Sequence, residues 1–106
     1  MKLYGITTCD SVRKARKALP QAEFIDVRKA PVSEAELQRA YQQFGDKLVN
    51  KSSATWRGLS DEDKSRPSLD LIVEHPTLMK RPLIESDTGD LYLGWGKDVQ
   101  DALASS

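Results

Sequence analysis

Apolar side chains alternate through KLYGI (2–6) and stop at Thr7-Thr8, which predicts a short strand running into a turn. Val12, Ala15, Ala18 and Leu19 then recur at spacings of three and four. That spacing predicts one helix face over about 10–19, closed by Pro20. AEFIDV (22–27) reads as a second strand. A helix between two strands makes them parallel, with a right-handed crossover. The chain therefore begins β-α-β.

The pattern changes period after residue 30. In APVSEAELQRAYQQFG (30–45), Ser33 is placed to cap a helix, with Glu36 three residues later and Val32 able to staple to Leu37. Leu37, Ala40, Tyr41 and Phe44 form the apolar face, and Gly45 supplies the stop. Residues 47–68 are polar with scattered apolar positions and predict short helical turns and loops. SLDLIVEHP (68–76) predicts a helix capped by Ser68, with Leu69, Ile72 and Val73 turned inward and Pro76 ending it. MKRPLIES (79–86) and LYLGW (91–95) flank the turn sequence DTGD, which predicts a β-hairpin. GKDVQDALA (96–104) closes with a helix whose inward set is Val99, Ala102 and Leu103. The expected order is β-α-β, a helical insertion over about 32–76, then β-β-α around a mixed sheet. The expected class is α/β, in one domain spanning 1–106.

Composition narrows the function classes. Sixteen Lys and Arg balance sixteen Asp and Glu, so the net charge of +0 gives no case for wholesale binding to nucleic acid or an anionic membrane. The run RKARK (13–17) reads as the wet face of an amphipathic helix. No apolar stretch suits a signal peptide or a membrane span, so a cytoplasmic monomer is expected. His75 is the only histidine, and without a second His or Cys no metal-site spacing arises. No phosphate loop, catalytic triad or zinc motif is present, and no bound cofactor is expected. Trp56 and Trp95 are expected to be packed.

One residue remains with distinctive chemistry. Cys9 is the only cysteine, so no internal disulfide can form. It stands where the first strand gives way to the first helix. Unpaired backbone N–H groups and the positive helix end favour a thiolate there, which is the nucleophilic form. Arg13, one turn on, can add a cation, while the carboxylate of Asp10 opposes ionisation. Thr8 can donate a hydrogen bond to the thiol loop. A buried, inert cysteine is the alternative reading. A lone reactive thiol needs an outside thiol to complete a redox cycle.

The β-α-β and β-β-α order, with Cys9 after the first strand and Pro82 opening the third, resembles the thioredoxin-like fold. The stretches YGITTCDSVRKA (4–15), LIVEHPTLMKRPLI (71–84) and LYLGWGKDVQDAL (91–103) resemble the arsenate reductase (ArsC) and Spx-like family within that fold, and its short YffB-like members in particular. The resemblance implies that Pro82 follows a cis peptide bond and faces the thiol. It implies glutathione as co-substrate, with glutaredoxin or a protein thiol as other resolving partners. Arg81 would bind an anion such as a glutathione carboxylate. The polar cluster Asn50, Lys51, Ser52 and Ser53 lies in the insertion, where Asn50 and Lys51 are candidates to line the cleft.

The departures from the family pattern separate the possible functions. Glutaredoxin-coupled arsenate reductases hold their oxyanion with three arginines. Arg81 matches one, but the other two fall at or near Asn50 and near Gly94. Spx-type regulators often carry a CxxC switch, and its second position here is Val12. The expected function is thus a cytosolic monothiol oxidoreductase, a glutathione-dependent thiol reductase acting through Cys9. The alternatives are an Spx-like transcription-complex binding protein without catalysis and an arsenate reductase proper.

Overall fold

Leu3 and Tyr4 are buried, and strand β1 (Lys2–Gly5) is the element on which the sheet is built. In the computed structural model, which describes residues 1–30 and 32–104, β1 lies inside a four-stranded sheet of order β2-β1-β3-β4. Pro31, Ser105 and Ser106 lie outside the described residues. Strand β2 (Glu23–Asp26) pairs parallel to β1, with Leu3 opposite Phe24. Strand β3 (Leu83–Glu85) pairs antiparallel on the other side, with Leu3 opposite Ile84. Strand β4 (Leu91–Leu93) completes the expected hairpin with β3. Helix α1 (Asp10–Ala18) forms the crossover that makes β1 and β2 parallel. The sheet is mixed and the class α/β, in the expected thioredoxin-like order.

Two compact units divide the chain. The first comprises Met1–Asp26 with Arg81–Ser106, and the second is Val27–Lys80. In the first unit, one apolar cluster joins Leu3 and Ile84 of the sheet, Val12, Ala15 and Leu19 from α1 and its end, and Val99 and Leu103 from the last helix (Lys97–Ala104). Gly5 sets how closely α1 approaches β1. A Cβ there would stand 2.5 Å from Cγ2 and 2.8 Å from Cγ1 of Val12, which is fully buried. Only a hydrogen fits between strand and helix at this point.

Helix α2 (Glu34–Phe44) opens the second unit's helical run, and the Ser33 hydroxyl accepts the Glu36 N–H at 3.3 Å as the cap. Gly45 ends it at φ +61°, a left-handed conformation that suits glycine. A 3-10 turn (Gly45–Leu48) and two single-turn helices, α3 (Ala54–Arg57) and α4 (Asp61–Lys64), fill the polar stretch. The hydroxyls of Ser53 and Ser60 cap those two helices. Helix α5 (Ser68–Glu74) follows. Arg66 binds Glu74 at 2.7 Å, and this hydrogen-bonded ion pair raises the guanidinium pKa above its ordinary value. The final helix of the first unit is α6 (Lys97–Ala104).

Several inward assignments shift. Val73 is 60% exposed, and Leu71 and Ile72 are the buried pair of α5. Four apolar residues crowd this short helix, so spacing alone cannot choose its face. Pro67 takes the cap position, and Ser68 is the first helical residue. Ala18 and Ala102 are exposed, because the larger side chains at 12, 19, 99 and 103 already fill the space against the sheet. Tyr41 is 36% exposed and reaches Asp46 with its hydroxyl at 3.4 Å. Among the described residues, no helix is long and apolar enough to cross a membrane.

Gly5→Ala should destabilise the fold by about 1–3 kcal/mol, because the new methyl collides with buried Val12. A urea titration checks this, and an unchanged midpoint would mean that α1 moves away freely. Ser33→Ala should cost about 1 kcal/mol through loss of the α2 cap, read in the same titration.

Candidate functional site

Cys9 is the N-cap of α1, with extended backbone at φ −87° and ψ 125°. A turn delivers it there: the Cys9 N–H donates to the Ile6 carbonyl at 3.4 Å. Its own carbonyl accepts the Arg13 N–H at 3.0 Å, the first bond of the helix. The thiol makes no capping bond to a backbone N–H. The residue is half-buried and packs at the margin of the apolar cluster. Thr7 and Thr8 are exposed in the turn. The sulfur is thus neither sealed in the core nor committed to a cap.

Arg13 does not stand as a free cation beside the thiol. Its Nη2 binds Asp10 Oδ1 at 2.6 Å, as the i, i+3 spacing allows. Both partners are exposed, with Arg13 at 61% and Asp10 at 83%, so water weakens this pair. The two charges expected to act on Cys9 in opposite senses therefore largely offset each other.

Strand register brings a second group to the same end of the sheet. Tyr4 pairs with Leu83, so Pro82 lies one step beyond that pair, at the end where β1 runs into the Cys9 turn. The Arg81–Pro82 peptide is cis, as the resemblance implied, and Pro82 is fully buried. Arg81 is half-buried, with its Nε among the buried atoms.

Gly94 joins this arrangement, a part that the residue pattern did not reveal. Leu93 pairs with Leu83, and the Gly94 N–H then donates to the Pro82 carbonyl at 2.8 Å. Gly94 adopts φ +82°, where a side chain is strongly disfavoured. The LGW sequence just after a strand carries a weak signal of such a position. Gly94 thus braces the proline loop, and its backbone suits glycine where the arsenate reductase pattern expects an arginine nearby.

Asn50 and Lys51 belong to the second unit, and their contacts there are structural. The Asn50 side-chain oxygen accepts the Ser52 N–H at 3.0 Å, and its backbone carbonyl accepts the Ser53 hydroxyl at 2.8 Å. The Asn50 N–H donates to the Leu78 carbonyl at 2.9 Å. Asn50 thus builds the turn that starts α3. Lys51 Nζ lies 5.6 Å from the Trp56 ring centre, and Lys64 approaches the same ring at 5.7 Å. Trp56 serves as a cation platform in addition to packing. His75 ends α5 through its N–H, which donates to the Leu71 carbonyl at 2.7 Å. A separate cavity of about 160 Å³ in this unit is lined by apolar residues including Val32, Ile72 and Met79, with no group suited to thiol chemistry.

Comparison with known proteins agrees with this fold. A protein of Haemophilus influenzae described only as uncharacterized is 39% identical over 96% of this chain and 97% of its own. The global transcriptional regulator Spx of Bacillus subtilis is 31% identical over 91% of this chain and 80% of its own. The solved structure of a YffB protein superposes with a TM-score of 0.84 at 26% identity, covering 95% of this chain and 96% of that one. The model of the ArsC family matches residues 4–102, nearly the whole length, and the chain belongs to the ArsC family.

Proposed function

We propose that the chain is a monothiol oxidoreductase that uses Cys9 with glutathione as co-substrate. The observation that carries this reading is the position of Cys9. It is a half-buried cysteine at the cap of α1, at the same sheet end as the cis Arg81–Pro82 bond. In thiol–disulfide exchange the thiolate is both the attacking group and the leaving group. Pro82 holds its loop beside the turn, and Arg81 offers a guanidinium for a carboxylate of the tripeptide. Thr8 and Arg13 flank the approach to the sulfur.

The cycle needs no second protein cysteine. The Cys9 thiolate attacks the glutathione sulfur of a mixed disulfide between substrate and glutathione. A Cys9–glutathione disulfide forms, and the substrate sulfur leaves as a thiolate that takes up a proton. A second glutathione thiolate then attacks the glutathione sulfur of that adduct, releasing glutathione disulfide and regenerating the Cys9 thiolate. The net step exchanges one disulfide for another: the mixed disulfide and one glutathione thiol become the substrate thiol and glutathione disulfide. A glutaredoxin or another protein thiol can take the second step. We place this activity in the cytoplasm, in a monomer.

Similarity to Spx supports a second reading, a binding protein of the transcription machinery. Val12 argues against a redox-switched version, since it is fully buried under Gly5 where a CxxC motif would carry its second thiol. Arsenate reduction is less favoured. Gly94 has no side chain, and the Asn50 amide oxygen is engaged in its own turn.

Incubation with glutathione disulfide should add one glutathione to the protein by intact mass, and Cys9→Ser should abolish the adduct. No adduct on the native chain would remove the thiol reading and direct attention to pull-down with RNA polymerase subunits. Arsenate turnover coupled to glutathione and glutaredoxin should stay at background; robust turnover would restore the arsenate reductase reading.

A further inference from the structure

Four cations follow Cys9 on α1, and the first of them is paired with Asp10. Arg13, Lys14, Arg16 and Lys17 are all exposed, and Asp10 is the single acid on the helix. The helix surface is therefore strongly positive although the whole chain has a net charge of +0. Arg13, Arg16 and Lys17 are spaced by three and four and share one side of the helix. They form one wall of an open groove of about 390 Å³, whose other side is Pro20, Ala22 and Phe24. Phe24 lies on β2, the edge strand, so the groove runs between the helix and the rim of the sheet.

The groove is chemically two-sided. The Arg16 guanidinium lies over the Phe24 ring, 4.1 Å from its centre, which holds that cation against an aromatic floor. Phe24 and Ala22 are half-buried and apolar, while Arg13 and Lys17 reach into water. A ligand that satisfies both sides carries carboxylates along one edge and an apolar side chain along the other. Nucleic acid would meet the cations, but Arg16 already covers the Phe24 ring face on which a base would stack.

We propose that this groove docks an acidic segment of a partner protein, with its carboxylates on Arg13, Arg16 and Lys17 and an apolar side chain on Phe24. Complementary charge selects such a partner and speeds its encounter. The groove runs from Arg13 to the C-terminal end of α1 and the start of β2, away from the Cys9 cap, so it is a recognition surface separate from the thiol. Docking itself needs no sulfur, and the inference does not rest on the thiol reading.

The full chain bearing Cys9→Ser keeps disulfide exchange out of the test. It is titrated with a labelled peptide alternating Glu and Leu, with a Lys and Leu counterpart, and with a single-stranded oligonucleotide of equal length. The acidic peptide should bind at least about tenfold more tightly than the basic one at low salt, and lose that advantage as salt rises. Its amide shifts should cluster at residues 13–24. Arg16→Glu with Lys17→Glu should weaken binding about tenfold or more, and Lys17→Ala should weaken it less. Circular dichroism checks that both variants fold, and if the double variant does not, Lys17→Ala and the amide shifts decide. Equal binding of both peptides, tighter binding of the oligonucleotide, shifts elsewhere, or undiminished binding by folded variants would overturn the docking site. Native protein that forms the glutathione adduct while its Cys9→Ser form ignores the acidic peptide would keep the thiol reading and lose this one.

Discussion

The missing side chain at Gly5 lets Val12 press directly on β1, and the placement of α1 follows from that contact. Val12, Ala15 and Leu19 then reach Leu3 and Ile84 on the same face of the sheet, and α6 adds Val99 and Leu103. Burial of this apolar set is the main favourable term that holds the helix down. Because the helix cannot slide away from the strand, the short turn between them has little freedom. Cys9 therefore stands at a defined point, as the cap of the helix and at the edge of the core.

The other half of the site is set from the far end of the chain. Antiparallel pairing of β3 with β1 carries Arg81 and Pro82 to the sheet end that holds the Cys9 turn. Pairing of β4 with β3 then brings the Gly94 N–H onto the Pro82 carbonyl. Three segments thus converge through backbone geometry, with few side chains involved. The cap position of Cys9, the Pro82 loop and Gly94 are set by strand register. Gly94 contributes its N–H and its unusual φ, and an arginine would sit poorly on that backbone.

Charge on this chain is a matter of distribution. Acids and bases balance overall, yet α1 gathers four cations against one carboxylate. The pairing of Arg13 with Asp10 removes part of the field beside Cys9, while Arg16 and Lys17 extend it toward the edge strand. The same helix therefore has Cys9 at its cap and a cationic flank beside the edge strand. The aromatic floor under Arg16 distinguishes that flank from an ordinary solvated helix face.

The sequence by itself determined the order of elements, the hairpin at 79–95, the Ser33 cap and the presence of one thiol at a strand-to-helix junction. Each of these depends on residues close together in the chain, where period, capping and turn chemistry act directly. The cis bond before Pro82 was legible only through family resemblance. Tertiary structure alone decided that Val73, Ala18 and Ala102 face outward. It also decided that Gly94 braces Pro82 and that Phe24 lies beneath Arg16. These outcomes depend on strand register and on which larger side chains fill the space first. Both join residues far apart in the chain, beyond the reach of local spacing.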